Sequence, residues 1–583
     1  MALKFVFLPA VALLLAAQSP VIRVDTRLVE LNVIVRDQNN RPVEGLTKSD
    51  FTVFDRNKEQ RIALFSADSV HRLAKPSAPL PAGIHTNRPD QRAESPTTIT
   101  VVLLDAVNTR IEDQAFAKQQ FIKFLSQIRP EDRVAVYALG NRLRILQDFT
   151  ADPRALLNSI ARYRGEPSAQ VDGAEPDPAN TGDKDMDQWL NNKNALLADN
   201  AVQNRVRATV GAMEAIANHI GRLPGRKNLV WITGSFPFTV GQLATESVAN
   251  WNDLPDPNSG ASSASGGASK TSSKMAAAAL SAAYGDYGVD NNTLPGNAQP
   301  ARENFKAFEA DLSRATRALN DANIAVYPVD ARGLLALPKI MTAQSAGIVK
   351  PSRVGSQSMP ILSMAPPGIN TMQMIAENTG GQAFYNDNDI QHAIRDAIDD
   401  SETTYTLGFY ADANALDAQF HKLKVVVNRK HVEVRYRKGY MASAVGPSGA
   451  NERDAVIRDA IWSPLDSVGI SLAGQIERVQ QPKPNGLRVT VSVEPSDLVF
   501  AEHNARHTVS VDFTFALLAS DGRNLDTIHQ SKTMDLDQKQ FEELNKRFVI
   551  GKTLEPNSEV AQIKVILFDR ASGRLGSLTL PVK

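Results

Sequence analysis

TTITVVLLDAVNT, Thr97–Thr109, is the stretch whose reading decides the fold. It runs apolar from Ile99 to Leu104, broken by Thr100 alone, as a strand buried on both faces does. It ends in a carboxylate, an amide and a hydroxyl: Asp105, Asn108 and Thr109. A helical pattern follows over Asp113–Ile128, with Phe116, Phe121, Phe124 and Leu125 at helical spacing. In an open α/β sheet the ligand crevice lies outside the carboxyl ends of the strands. Those three polar side chains therefore mark the lip of whatever site the protein has.

Outward from this stretch, strand patterns alternate with helical ones, which predicts the α/β class. Strands are expected at Arg133–Leu139, Leu143–Phe149, Asn228–Thr233 and Ile324–Asp330. Helices are expected after Thr150 or Asp152 with Pro153 just inside, over Asn200–Leu223, over Arg302–Ala322, over Asn370–Asn378 closed by Gly380-Gly381, and over Asp389–Ser401. Gly165–Asn194 reads as an inserted loop. Ser235–Pro300 is the largest interruption, and its Gly/Ser/Ala-rich part predicts disorder around residues 252–298.

Toward the amino end, Lys4 followed by the apolar run Phe5–Ala17 predicts a signal peptide over residues 1–19, too short to span a bilayer. Residues 22–66 alternate as a small β module, and residues 67–95, rich in Pro, Ala and polar side chains, read as a linker. The α/β domain then covers 96–441, ending in strands at Thr404–Tyr410, Lys422–Asn428 and His431–Arg437. From 454 to 583 the strands at Leu487–Val493, Thr508–Leu517 and Val560–Phe568, with turns between, predict a C-terminal β-sandwich.

Composition narrows the function classes. The 583 residues carry Lys+Arg 64 against Asp+Glu 64, so no net field draws the chain to nucleic acid. There is no cysteine, which removes disulfides, zinc-thiolate sites and a cysteine nucleophile. No Gly-rich phosphate loop follows a strand, and no Ser/His/Asp set announces itself; we expect no enzyme. His503 and His507 stand four apart between strands, a spacing that does not bring both to one face. The methionines Met341, Met359, Met364, Met372 and Met374 fit core packing or an adaptable surface. Arg332-Gly333 reads as a turn, and Glu44 and Asp50 as solvated turn residues.

Several motifs in order resemble one family. VEGLTKSDFTVF (Val43–Phe54), LLDAVNT (Leu103–Thr109), YPVDARGL (Tyr327–Leu334), TGGQAF (Thr379–Phe384), YTLGFY (Tyr405–Tyr410) and YRKGY (Tyr436–Tyr440) are similar to the acidobacterial VWFA-related family, over about residues 24–441. The resemblance implies a von Willebrand A-like doubly wound, mostly parallel sheet and an extracytoplasmic setting, periplasmic or secreted. The classical A domain of that fold carries a metal-ion-dependent adhesion site of pattern Asp-x-Ser-x-Ser with a Thr and an Asp on two other loops. Hard Mg²⁺ or Mn²⁺ would take such oxygen ligands, with waters held by outer carboxylates.

In this chain Asp105 matches the first Asp, Thr109 the last Ser and Thr150 the Thr. Val107 replaces the middle Ser, and Thr233-Gly234-Ser235 stands where the Asp is expected. Asn108, Thr233, Ser235 and Asp330 are the candidate ligand-binding substitutes. With at least two positions gone no cofactor is certain, and capping of the following helix explains Asp105 and Thr109 equally well. The resulting expectation is an exported, non-enzymatic binding module for a protein or matrix partner. The alternative is a metal-free scaffold of the cell envelope that assembles through its β domains. We expect no nucleic-acid partner and no transmembrane segment after signal removal.

Overall fold

The computed structural model describes residues 28–69, 81, 83–88, 99–168, 180–223, 225–234, 236, 311–333, 368–411, 420–442, 450–479, 486–503, 506–546 and 548–582. The expected signal peptide, the expected disorder around 252–298, Ser235, and Met341, Met359 and Met364 lie outside them.

In chain order the first strands are β1 (Leu28–Asp37), β2 (Phe51–Asp55), β3 (Lys58–Gln60), β4 (Leu64–Ser69) and β5 (His85–Thr86). The α/β body follows: β6 (Ile99–Asp105), α1 (Ile111–Phe124), β7 (Val134–Leu139), β8 (Leu143–Thr150), α2 (Pro153–Arg162), α3 (Lys184–Ile220), β9 (Lys227–Thr233), β10 (Ile324–Asp330), α4 (Ile369–Thr379) and α5 (Ile390–Asp399). Next come β11 (Thr403–Tyr410), β12 (Phe420–Val427), β13 (Val432–Arg435), β14 (Gly439–Met441) and α6 (Ala450–Trp462). The last part holds β15 (Leu472–Val479), β16 (Gly486–Val493), β17 (Ala501–His503), β18 (Arg506–Ala519), β19 (Asn524–Leu536), α7 (Gln538–Lys546), β20 (Phe548–Leu554), β21 (Val560–Asp569) and β22 (Leu575–Pro581).

The molecule is mixed α/β, with one mostly parallel sheet and several small antiparallel ones. The parallel sheet has the order β10-β9-β6-β7-β8; its first four strands run parallel and β8 returns antiparallel to β7. Every residue of β6, β7, β9 and β10 is buried, which is why these segments read as mainly apolar runs rather than as alternating ones. Helices cover both faces. On one, α3, α4 and the helical residues 311–321 pack over Leu103, Trp231 and Val326. On the other, α1, α2 and α5 pack over Val102, Val136 and Tyr327.

The expected separate module at 22–66 gives way to a shared one. β1 pairs with β11 and β13, β4 with β11, and β2 with β12, so strands from both ends of residues 28–441 build two facing sheets. Leu31 and Val33 of β1 lie opposite Leu407 and Tyr405 of β11, all four buried. Local alternation identifies each strand but says nothing of a partner some 370 residues away, and burial of both faces requires that partner. The expected linker is also structured in part: β5 adds to the edge of β15 in the C-terminal domain. That domain packs the sheet β20-β16-β15-β5 against the sheet of β17, β18, β19, β21 and β22 over one core, Val489, Val511, Phe515 and Ile563 among it.

Gly165–Asn194, expected as a loop, is helical from Lys184 onward. Asp183 caps it, accepting from the backbone amides of Asp185 and Met186. The packed half of α3 begins near Val206, and about 30 Å of helix precedes it. No described helix is long and apolar enough to cross a membrane.

Candidate functional site

β6 ends at Asp105, whose carboxylate is buried and takes five protein donors. Oδ1 accepts the backbone amides of Val107 at 3.0 Å and Asn108 at 3.1 Å. Oδ2 accepts Asn108 Nδ2 at 2.7 Å, Trp231 Nε1 at 2.9 Å and Thr233 Oγ1 at 3.1 Å. β9 lies directly beside β6, with Leu103 opposite Trp231, so alternation carries Trp231, Thr233 and Asp105 to the same face. Burial pushes the Asp105 carboxyl above its ordinary range, against Asn108, Trp231 and Thr233, which hold it down.

Asn108 extends the cluster into α3. Its Nδ2 also donates to Thr209 Oγ1 at 2.6 Å, and its Oδ1 accepts Arg205 Nε at 3.0 Å. Arg205 and Thr209 are one helical turn apart, and Thr209 donates back to the Arg205 carbonyl. The result is a buried relay: guanidinium, amide, carboxylate. Thr109 Oγ1 accepts the Gly234 amide at 2.8 Å, and the loops are so close that a β-carbon on Gly234 would meet the Asn108 carbonyl oxygen at 2.8 Å. Neither Asp105 nor Thr109 caps α1; Arg110 holds the N-cap position, and its side chain does not cap the helix.

The remaining expected residues are elsewhere. Asp330 sits at the same sheet end, opposite Thr233, but its carboxylate is closed by Arg332, with contacts of 2.7 to 3.2 Å. Thr150 is at the other end of the sheet. It pairs with Val134, whereas Asp105 pairs with Leu139, five residues along β7 and roughly 16 Å away at about 3.3 Å per residue. Its hydroxyl accepts the Asp152 amide beside α2. The matching of Thr150 to the metal-site Thr therefore fails, because β8 runs antiparallel. His503 is exposed, and His507 stacks on Phe541 at 3.9 Å. Met372 is core, and Met374 packs against it.

This donor set does not suit Mg²⁺ or Mn²⁺. A divalent ion needs free oxygen lone pairs in octahedral array, and here N–H and O–H donors converge on the carboxylate instead. Among the described residues no group of three acidic or histidine side chains could hold a metal. Trp231, Arg205 and Thr209 join the cluster without a local sequence signal of their own: Trp231 comes from the neighbouring strand β9, and Arg205 and Thr209 from one turn of α3.

Comparison with known proteins gives little. No family model matches the chain, and no curated protein matches it. Among solved structures, an aerotolerance-related membrane protein from Bacteroides fragilis is similar over 52% of this chain and 98% of its own, at 13% identity and a TM-score of 0.23. A likeness of that size carries no inference about role.

Proposed function

We propose that the chain is an exported, non-enzymatic binding module of von Willebrand A type that works without a metal, presenting its strand ends to a protein or matrix partner. The observation that supports this most is the Asp105 carboxylate. Five protein donors satisfy it, so the backbone after β6 is tied to β9 by protein groups where the classical A domain uses an ion. A photo-crosslinking residue in place of the exposed Ile111, beside the strand ends, tests the reading against one in place of the exposed Val549 in the C-terminal domain. Recovery of one saturable partner through position 111 supports it. Recovery through position 549 alone contradicts it, as does turnover of ester, peptide or glycan substrates.

A second reading, an envelope scaffold assembling through its β domains, is favoured by β19. This strand of 13 residues pairs with β18 and, among the described residues, with no strand on its outer edge. Such an edge is a template for strand addition. Proline at alternate β19 positions would then abolish assembly and leave Asp105 variants associated.

A further inference from the structure

Above the carboxyl ends of β6 and β7 the chain lays a strap, residues 163–168, immediately after α2. Gln114 of α1 binds its backbone twice, donating from Nε2 to the Glu166 carbonyl at 2.9 Å and accepting the Glu166 amide on Oε1 at 3.1 Å. Ser168 Oγ donates to the Val107 carbonyl at 2.8 Å, and Lys118 Nζ to the Tyr163 carbonyl at 2.7 Å. The Tyr163 hydroxyl is pushed up to about 12 by its burial and then by the nearby Glu166 carboxylate.

The strap points one carboxylate into the turn between β7 and β8. Glu166 Oε1 receives Arg144, and Oε2 receives the Asn141 amide at 3.3 Å. Gly140 makes room for it: a β-carbon there would collide with the Glu166 carboxylate itself. Gly140 has no positive φ, and what a β-carbon there would meet is the far end of the Glu166 side chain, which the glycine lets lie directly against the turn. A guanidinium, a backbone amide and a glycine floor form the chemistry that recognises a carboxylate.

We propose that Gly140, Asn141 and Arg144 form a carboxylate-recognition site which Glu166 fills from within, and that a partner takes it with an acidic side chain on an extended segment. The inference rests on the binding-module reading and names the partner's chemistry at the same sheet end. An intramolecular ligand acts at an effective concentration in the millimolar range, so it masks the site from weaker free ligands. Glu166 keeps partial exposure, with its side chain 30% accessible, as a displaceable group must.

The test uses the full chain and a labelled peptide, ARYRGEPSA (residues 161–169), read by fluorescence anisotropy. Glu166→Ala should bind it about tenfold or more tighter than wild type. A peptide with Gln in place of its Glu should bind neither protein. Adding Arg144→Met to Glu166→Ala should abolish binding. Adding Gly140→Ala to Glu166→Ala, which crowds the floor of the emptied site, should weaken peptide binding about tenfold or more relative to Glu166→Ala alone. Equal binding of the Gln peptide, or no gain in Glu166→Ala with a wild-type circular dichroism spectrum, overturns the proposal. If the peptide fails while position 111 still crosslinks a partner, the carboxylate site alone falls. If the peptide binds and position 111 recovers nothing, the module reading falls and the site stands.

Discussion

Asp105 is where residue-level chemistry decides the account. Its removal takes the acceptor from a buried indole N–H and two backbone N–H groups and one acceptor each from Asn108 and Thr233, and leaves the buried Arg205 without the carboxylate its relay ends on. Asp105→Ala should lose about 3 to 5 kcal/mol in urea unfolding; a loss below about 1 kcal/mol would mean the donors find water instead. Lys227 offers a pH test. Its ammonium is buried against the carbonyls of Leu223 and Gly225, and burial pushes it down to about 7, with Glu30 pulling the other way. The unfolded chain then holds more protons than the fold between about pH 7 and pH 10.5. This group's contribution therefore grows as pH rises through that window and is lost as pH falls toward 7. Urea midpoints should show wild type gaining on Lys227→Met between pH 7 and pH 9; a constant difference would contradict it. Asp105, Asn108 and Thr233 were legible because strand ends announce themselves. Trp231 and Arg205 were not, because their roles depend on which strand and helix lie alongside.

At the scale of elements, α3 separates two behaviours within one helix. Ile216 is fully buried against the sheet, whereas Leu197 is 64% exposed. Ile216→Ala should cost about 2 to 5 kcal/mol through the cavity it leaves, and Leu197→Ala about 0.5 kcal/mol or less. Similar losses at both positions would show that the leading half is packed too. Asn- and Asp-rich composition hid that half from the periodicity reading, although Asp183 carried a cap signal. β8 teaches a related lesson. Its pattern showed a strand, and the few residues Gly140–Arg142 before it are too short for a parallel crossover, which needs a dozen or more. That length fixes β8 as antiparallel and sends Thr150 to the far end of the sheet.

Over the whole molecule, the parallel sheet was readable because its strands are buried runs joined by helices, and the antiparallel sheets were not, because their partners are remote. β1 needs β11, and β2 needs β12. A fragment spanning 96–441, the boundary that local patterns suggest, should aggregate on expression, whereas 28–583 should elute as a discrete species. A monodisperse 96–441 with a cooperative melt would contradict the shared sheets. The C-terminal domain is likewise stitched to the body. Arg222, just after α3, meets Asp497 at 2.5 Å and Ser471 at 2.6 Å, and Leu465 enters the core beneath α3. Asn87 of the expected linker is buried and bonded to the backbone of Ser467, Ile470 and Leu472. The strand ends are thus carried on a continuous framework rather than on a tethered domain.

The central claim is that the strand-end cluster is closed by protein donors and takes no metal. Calorimetric titration of residues 28–583 with Mg²⁺ and Mn²⁺, beside Asp105→Ala, tests it most directly. The account predicts no saturable heat in wild type and an unchanged melting temperature with or without a chelator. Saturable binding in wild type that Asp105→Ala removes would contradict it.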